Sequence, residues 1–292
     1  MRFSVVIVTH NRADLVPRAI RSVLEQQGAD FELIVVDDGS DDDTLTVLGA
    51  IGDPRLRVVR RPNGGPSAAR NSGVDAASGD WIAVLDDDDV ALPDWLAAFD
   101  ELAVPGVAIV CCAVEFRTPD GQLVETRRPS PGLVYNGRTA LFDSGTFAVR
   151  TELLRAVGSY DERLTCSEHL ELGMRLVAAL PARGEEIRST QRALVRQERR
   201  PAGARPIARP SALYHGTRVL LEAHRERLAQ IPSARAAFNS VLGVNAARLG
   251  LWSEARSALL VSLRTEPRRL HHWLRFGLAC FPPAGRYVWR GS

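Results

Sequence analysis

The chain has 292 residues, of which 45% are hydrophobic and 25% are charged. These proportions are those of an ordinary globular protein, and the length suggests two domains or one large α/β domain with an appendage. All 37 basic residues are arginine, which excludes mechanisms that need a lysine Schiff base or a phosphate-binding lysine. The formal net charge of +2 gives no reason to expect a nucleic acid as partner.

The small net charge conceals two segments of opposite charge. Residues 1–182 carry 17 arginines and 28 acidic residues, a net charge of −11. Residues 183–292 carry 20 arginines and 7 acidic residues, a net charge of +13. We therefore expect the two segments to interact with different partners.

The cysteines and the N-terminus favour a cytoplasmic protein. The four cysteines include no C-x-x-C pair and no spacing of a zinc site or a disulfide framework. The start, MRFSVVIVTHNR, has too short an apolar run for a signal peptide. No segment approaches the roughly 18 uninterrupted apolar residues of a membrane-spanning helix.

The first hundred residues alternate short β-rich apolar runs with helical patterns, which predicts βαβ units and a mostly parallel sheet. Strands are predicted at 3–9, 32–37, 56–60 and 81–86, and helices at 15–27, 44–51 and 66–77. Further along, the sequence predicts a helix that opens at Pro93, a buried strand at 107–116 followed by a hairpin, a strand at 146–150, and helices at 151–157 and 167–180.

A second, all-α region follows this α/β segment. We interpret residues 183–210, rich in Arg and Pro, as a connection that wraps back on the core, with Ala193–Val195 as its only strand-like run. The predicted domains are thus 1–182, the connection 183–210, and a helical extension at 211–292.

Candidate helix breaks fall at Ile231-Pro232, Gly250 and Glu266-Pro267. Residues 245–255 resemble one tetratricopeptide unit, and a single copy predicts a helical cap rather than a repeat domain.

Acidic residues follow two of the predicted strands. One strand runs into Asp37-Asp38-Gly39-Ser40 and the other into the run Asp86–Asp89. Ligands bind beyond the carboxyl ends of parallel strands, so two acidic ends in one crevice repel each other unless a cation lies between them. Oxygen ligands beside a phosphate favour Mg²⁺ or Mn²⁺. For Asp41–Asp43 and Asp87 we favour the alternative that they cap a helix or are solvated.

The ordered motifs VVIVTHN, ELIVVDDGSDDDT, NGGPSAARNSG, GDWIAVLDDDDVALPDWL and VGSYDERL resemble those of family 2 glycosyltransferases with the GT-A fold. The resemblance covers residues 1–180. It implies a mixed, mostly parallel α/β sheet flanked by helices, and metal-dependent transfer of a sugar from a nucleotide diphosphate donor, usually with inversion. A UDP-sugar is the favoured donor, and the acceptor is a hydroxyl of a polysaccharide, glycolipid or other glycoconjugate.

The resemblance also implies which residues bind the nucleotide. Thr9, His10 and Asn11 lie in the first motif, where His10 occupies the place of a tyrosine and could stack on the base. Asp38 corresponds to the residue that accepts a hydrogen bond from the base. Arg70, in the third motif, would reach the nucleotide, or alternatively pack against Asp80 or a helix terminus.

The D-x-D part of the acidic run carries the implied metal site. Asp86 would bind ribose or the metal, and Asp88 would bind the metal that bridges the diphosphate. The resemblance implies Mn²⁺ or Mg²⁺ as the cofactor, with an electrostatic role at the leaving group.

The general base departs from the family pattern. Inverting transfer needs a base for the proton of the attacking hydroxyl, and many members have a Glu-Asp pair at the start of the helix after the GxYDExL turn. Here the pair reads Glu168-His169. His169 is the base, Glu168 is the base, or the protein is a catalytically weak scaffold that binds the nucleotide sugar.

The segment Arg268–Leu278 combines Arg, Trp, Phe and Leu, which is typical of a helix at an anionic lipid surface. This predicts peripheral attachment to the inner face of the plasma membrane. The alternative is a helix that packs its apolar side on the catalytic domain and exposes its arginines. We expect His271 and His272 to contribute polarity only.

Three other classes are disfavoured. Gln197-Glu198-Arg199-Arg200 resembles the Q-x-x-R-W element of processive family members, but Pro201 replaces the tryptophan. A nucleotidyltransferase would need a Gly-rich loop with a basic residue after the first strand, which this chain lacks. A nucleic-acid partner is disfavoured because no aromatic residues interleave the arginines of 183–210.

Overall fold

The computed structural model describes residues 2–135, 137–198 and 210–289. The chain divides into two compact units. The first, which we call the sheet unit, comprises Met1–Glu162 and His169–Arg205. The second, the helical unit, comprises Arg163–Glu168 and Pro206–Ser292.

The sheet unit contains the strands. In chain order they are β1 (Arg2–Thr9), β2 (Asp30–Asp37), β3 (Leu56–Arg60), β4 (Trp81–Asp86), β5 (Val90–Ala91), β6 (Val107–Arg117), β7 (Leu123–Arg127), β8 (Ser130–Pro131), β9 (Thr139–Ala140), β10 (Phe147–Arg150) and β11 (Glu186–Glu198). The first six helices are α1 (Val16–Leu24), α2 (Thr44–Gly49), α3 (Pro66–Ala76), α4 (Trp95–Leu102), α5 (Thr151–Ala156) and α6 (Glu168–Arg183), with a short 3₁₀ helix at Leu133–Tyr135.

Nine of these strands form one sheet. Its order is β3-β2-β1-β4-β10-β6-β11-β5, and β7 pairs with β6 outside this path. Strands β3, β2, β1 and β4 are parallel to one another, and so are β6 and β11. Strand β10 lies antiparallel between β4 and β6. The prediction of a mixed, mostly parallel sheet is confirmed.

Helices cover both faces of this sheet. Along β1, Val5 and Ile7 join a buried cluster with α1 and α4, whereas Val6 joins a cluster with α3, α5 and α6. A strand that is covered on both faces needs apolar residues at successive positions, which explains the unbroken run in β1. Gly73 lets α3 approach this strand, because a Cβ at that position would lie 2.3 Å from Cγ1 of Val6.

Strand β11 corrects the expectation for the Arg- and Pro-rich segment. The sequence predicted a strand only at Ala193–Val195, but β11 has 13 residues and pairs in parallel with β6. Most of its side chains are polar, so hydrogen bonds to β6 rather than an apolar pattern define it; Leu194 and Val195 are buried. Residues 186–198 are therefore part of the sheet, not a connection. Residues 199–209 lie outside the described residues.

The helical unit contains α7 (Pro210–Ala223), α8 (Arg225–Ala229), α9 (Pro232–Arg248), α10 (Trp252–Thr265), α11 (Leu270–Cys280) and α12 (Pro282–Trp289). Ile231, Gly250 and Glu266-Pro267 each lie between two helices and Pro232 begins α9, so the predicted breaks are confirmed. The unit has its own buried cluster, which includes Tyr214, Ala246 and Leu259. None of the helices in the described ranges combines the length and apolar character needed to cross a bilayer.

Candidate active site

The carboxyl ends of β1, β2 and β4 lie side by side. In the register of the sheet, Thr9 of β1 is opposite Asp37 of β2, and Val8 is opposite Asp86 of β4. The two acidic strand ends predicted from the sequence therefore lie on either side of β1, at the edge of the sheet where these parallel strands end.

Three carboxylates converge at this edge. Asp86, Asp88 and Asp89 each place one oxygen within 4.8 Å of the others. The sequence predicted the first two of these residues but not Asp89. Carboxylate oxygens at this spacing are the ligands that Mg²⁺ and Mn²⁺ prefer, so these side chains fit a divalent cation.

Neighbouring side chains hold the cluster in place. The Nη2 atom of Arg70 donates to Oδ1 of Asp86 at 2.7 Å, and Nε2 of Gln197 donates to Oδ2 of Asp89 at 2.9 Å. The backbone N–H of Asp86 donates to Oγ of Ser144 at 2.6 Å. The guanidinium of Arg70 thus reaches the acidic cluster, and its contact with the nucleotide stays a prediction.

An arginine that the sequence analysis did not identify also enters the cluster. The Nη1 atom of Arg12 lies 3.1 Å from Oδ1 of Asp87 and 3.0 Å from Oδ2 of Asp88. The expectation that Asp87 is solvated is wrong, because it is 6% exposed and ion-paired. Burial raises the pKa of Asp87 to about 6, against the opposing effect of Arg12.

The protonation of the cluster reflects its crowding. Burial, together with the charges of Asp86 and Asp88, raises the pKa of Asp89 well above its ordinary value. Burial would also raise the pKa of Asp86, but the charges of Arg70 and His169 outweigh it and lower the pKa. The crowding of these carboxylates thus favours the protonated form of Asp89 and the ionised form of Asp86.

Asp38 is held by the loop between β3 and α3. Its Oδ1 accepts from the backbone N–H of Gly64 and from Nη1 of Arg61, both at 3.0 Å, and its Oδ2 accepts from the N–H of Gly65 at 2.8 Å. A carboxylate has about four acceptor sites, so these three bonds leave one. Asp38 is 3% exposed, and its role toward a base stays a prediction.

The three residues after β1 occupy different environments. Thr9 is buried and its hydroxyl lies beside Asp87. The side chain of His10 is exposed. Asn11 has a φ of 52°, and its backbone N–H donates to Oγ of Ser40 at 2.9 Å. Asn11 therefore joins the loops after β1 and β2, and His10 is open to a ligand.

The proposed base His169 is buried at the start of α6. Its Nδ1 lies 3.2 Å from the hydroxyl of Tyr160, and its ring packs edge-on against Tyr160 and Phe147. His169 belongs to the sheet unit, which also contains the acidic cluster. Glu168 opens α6 but belongs to the helical unit, so its role stays a prediction.

Comparison with known proteins identifies the family. The sequence model of glycosyl transferase family 2 matches residues 4–159, more than half of the chain. The chain therefore belongs to glycosyl transferase family 2, as its motifs predicted.

Relatives match about a third of the chain. The chain is 48% identical over 99 residues to the succinoglycan biosynthesis protein ExoO of Rhizobium meliloti (strain 1021), which covers 34% of this chain and 28% of that protein. It is 38% identical over 120 residues to GalNAc(5)-diNAcBac-PP-undecaprenol beta-1,3-glucosyltransferase of Campylobacter jejuni, with 39% of each covered. The chain thus matches well under two thirds of the length of these curated relatives.

Solved structures show the same fold. S. aureus TarS 1–349 in complex with UDP-GlcNAc matches with a TM-score of 0.63 at 18% identity, covering 100% of this chain and 93% of that one. The mannosyltransferase PcManGT from Pyrobaculum calidifontis, in complex with GDP-Man and Mn²⁺, has a TM-score of 0.60 at 18% identity, with 99% and 88% covered. The predicted GT-A fold is confirmed.

Proposed function

We propose that the sheet unit transfers a sugar from a nucleotide diphosphate donor to a hydroxyl acceptor, with a divalent metal and with inversion at the anomeric carbon. The observation that carries this proposal is the group of three carboxylates, Asp86, Asp88 and Asp89, at the carboxyl ends of parallel strands in a family 2 glycosyltransferase. An anionic diphosphate at such an acidic edge needs a cation between the two.

Asp86 and Asp88 would hold Mn²⁺ or Mg²⁺, and Asp89 would complete the set. The bound ion would supply positive charge for the diphosphate that leaves in the transition state. The protein's contribution is to orient these carboxylates: Arg70 fixes Asp86 and Gln197 fixes Asp89. Such support of metal ligands by neighbouring side chains is the usual arrangement.

The nucleotide would lie across the ends of β1 and β2. His10 is exposed and would stack on the base, and the remaining acceptor site of Asp38 would receive its imide hydrogen. Thr9 and Asn11 flank His10 and would shape the loop that carries it. We favour uracil because an imide N–H matches a carboxylate acceptor, and TarS, a protein of the same fold, has been solved with UDP-GlcNAc.

His169 would serve as the general base. Its Nδ1 lies 3.2 Å from the hydroxyl of Tyr160, which orients the imidazole, and a neutral imidazole can accept the proton of the attacking hydroxyl. The acceptor oxygen then bonds to the anomeric carbon while the bond from that carbon to the diphosphate breaks. Glu168 is the alternative base.

For the acceptor, we propose a growing polysaccharide or a lipid-linked glycan. The names of two relatives refer to succinoglycan biosynthesis and to a glucosyltransferase whose acceptor is linked to undecaprenol diphosphate.

The experiment that tests the donor is a thermal-shift screen against UDP-, GDP- and TDP-sugars with Mn²⁺. We expect UDP-sugars to raise the Tm most, because ligands stabilise the state that they bind.

The metal is tested in the same assay. Asp88→Asn should abolish metal-dependent donor binding, whereas Asp120→Asn, on an exposed turn, should leave it unchanged. Full activity of the unaltered protein in excess chelator would contradict a metal-dependent reaction.

The second candidate is a scaffold that binds the nucleotide sugar without efficient transfer. The replacement of the usual aspartate by His169, packed among aromatic rings, favours it. His169→Ala and Glu168→Ala should each retain donor binding, and one of them should lose turnover. If both keep full turnover, neither is the base; if the unaltered protein binds donor but neither transfers nor slowly hydrolyses it, the protein is a scaffold.

A further inference from the structure

The outer side of α11 carries large apolar side chains that are exposed. Leu270, Trp273, Leu274 and Phe281 are 79%, 55%, 68% and 62% exposed. The spacing of Leu270, Trp273 and Leu274, at i, i+3 and i+4, places these three on one side of α11, and Phe281 is the residue that follows the helix. We call these four residues the apolar stripe. On α12, Tyr287 is also exposed.

Contacts within the helical unit fix this orientation of α11. The ring of His272 is buried, with Nδ1 2.8 Å from Oγ of Ser262, so the expectation that His272 contributes polarity only is wrong. Arg275 turns inward, and its Nη1 donates to Oγ of Ser240 at 2.6 Å. With the polar side chains anchored inside, the apolar stripe is directed outward.

The sequence around the apolar stripe is rich in arginine. Residues 255–289 contain six arginines and a single acidic residue, Glu266. Arg268 and Arg269 immediately precede α11 and are exposed, as is Arg286 on α12. The apolar stripe therefore suits a partner whose surface offers apolar groups to the stripe and negative charges to the neighbouring arginines.

We propose that the apolar stripe docks on the surface of an anionic lipid bilayer. The 11 residues of α11 span roughly 16 Å at 1.5 Å per residue, about half the hydrocarbon thickness, so the helix would lie in the interface. Leu and Trp would enter the acyl boundary while the arginines meet anionic headgroups. A second copy of this chain fits less well, because it would bring arginines against arginines.

Co-sedimentation of the full chain with vesicles tests this proposal. We expect binding to vesicles of phosphatidylcholine with 30% phosphatidylglycerol, weaker binding in high salt, and little binding to phosphatidylcholine alone. Leu270→Ser with Leu274→Ser should lower the partition coefficient at least roughly tenfold. Leu123→Ser with Val124→Ser, which changes two exposed apolar residues of β7, should leave binding unchanged.

A second pair of variants tests the charge. Arg268→Glu with Arg269→Glu should lower the partition coefficient by at least roughly 25-fold, from about fivefold for each arginine near the surface. Arg225→Glu with Arg235→Glu makes the same change of net charge on other exposed positions of the helical unit and should have a much smaller effect. Failure of the unaltered protein to pellet with anionic vesicles, or a dimer in solution that the Leu270/Leu274 double variant dissociates, would overturn the proposal.

Discussion

Arg12 lies with one nitrogen against two carboxylates of the acidic run, Asp87 and Asp88. A guanidinium cannot lose its charge in a protein, so Arg12 supplies fixed positive charge where the proposed metal site would also place a cation. The two positive charges compete for Asp88. Arg12 therefore stabilises the cluster without metal and opposes binding of the ion.

Removal of this competition should strengthen metal binding. We expect Arg12→Ala to lower the Kd for Mn²⁺ in the absence of nucleotide by roughly fivefold, corresponding to about 1 kcal/mol, the interaction of unit charges about 4 Å apart in bulk water. Electron paramagnetic resonance of free Mn²⁺ measures this directly. Arg21→Ala, at an exposed position of α1, is the matched control. An unchanged or weaker Mn²⁺ affinity in Arg12→Ala would contradict the competition.

The single carboxylate of Glu32, near the amino end of β2, affects the stability of the fold. It is buried and accepts hydrogen bonds from the hydroxyls of Ser4 and Ser78 at 2.7 and 2.6 Å. Burial would raise its pKa, but these bonds and the charge of Arg2 outweigh it, so the pKa of Glu32 is lowered from 4.5. The ionised form therefore stabilises the folded protein.

This lowered pKa predicts a pH dependence of stability. Because the unfolded chain binds the proton more readily, the stabilisation is fully present above pH 4.5 and is lost as the pH falls through the folded pKa. Glu32→Gln should thus destabilise the protein most at pH 7, with a difference that shrinks toward pH 3. Urea unfolding at both pH values, with exposed Glu25→Gln as control, measures it; a difference independent of pH would refute this account.

At the scale of elements, β11 is the part that the sequence did not reveal. Its 13 residues carry few apolar side chains, and its position depends on backbone pairing with β6, about 80 residues earlier in the chain. By contrast, β1, β2 and β4 were predicted correctly because both of their faces are buried and their apolar runs are continuous.

Because β11 is integral to the sheet, its buried residues should contribute to stability. Leu194→Ala should lower the free energy of unfolding by about 2–5 kcal/mol, the usual cost of emptying a buried leucine site, since Leu194 is 2% exposed. The same substitution at Leu123, which is 54% exposed, should cost at most about 0.5 kcal/mol. Equal effects in denaturant unfolding would show that β11 is not part of the core.

At the scale of the whole molecule, each unit has its own buried core. The proposed donor site lies in the sheet unit alone. Ligands stabilise what they bind, by about 2.7 kcal/mol at 100 times Kd. Their effect should therefore be confined largely to one unit.

Hydrogen exchange followed by mass spectrometry tests this division. With Mn²⁺ and UDP, peptides that cover 61–70 and 81–91 should exchange more slowly, by up to roughly 100-fold for amides that exchange through unfolding of the sheet unit. Peptides of α9 and α10 should be unaffected. Asp88→Asn should remove the response, and equal slowing in both units would contradict the separation.

The sequence by itself determined the parallel half of the sheet, the edge where its acidic strand ends meet, and the family, because these depend on continuous apolar runs and on residues that are close in the chain. Only the tertiary structure decided which side chains surround the acidic cluster. Gln197 reaches Asp89 across 108 positions and Arg12 reaches Asp88 across 76. Such contacts depend on strand order and pairing, and a polar strand such as β11 leaves no apolar pattern by which the sequence could disclose them.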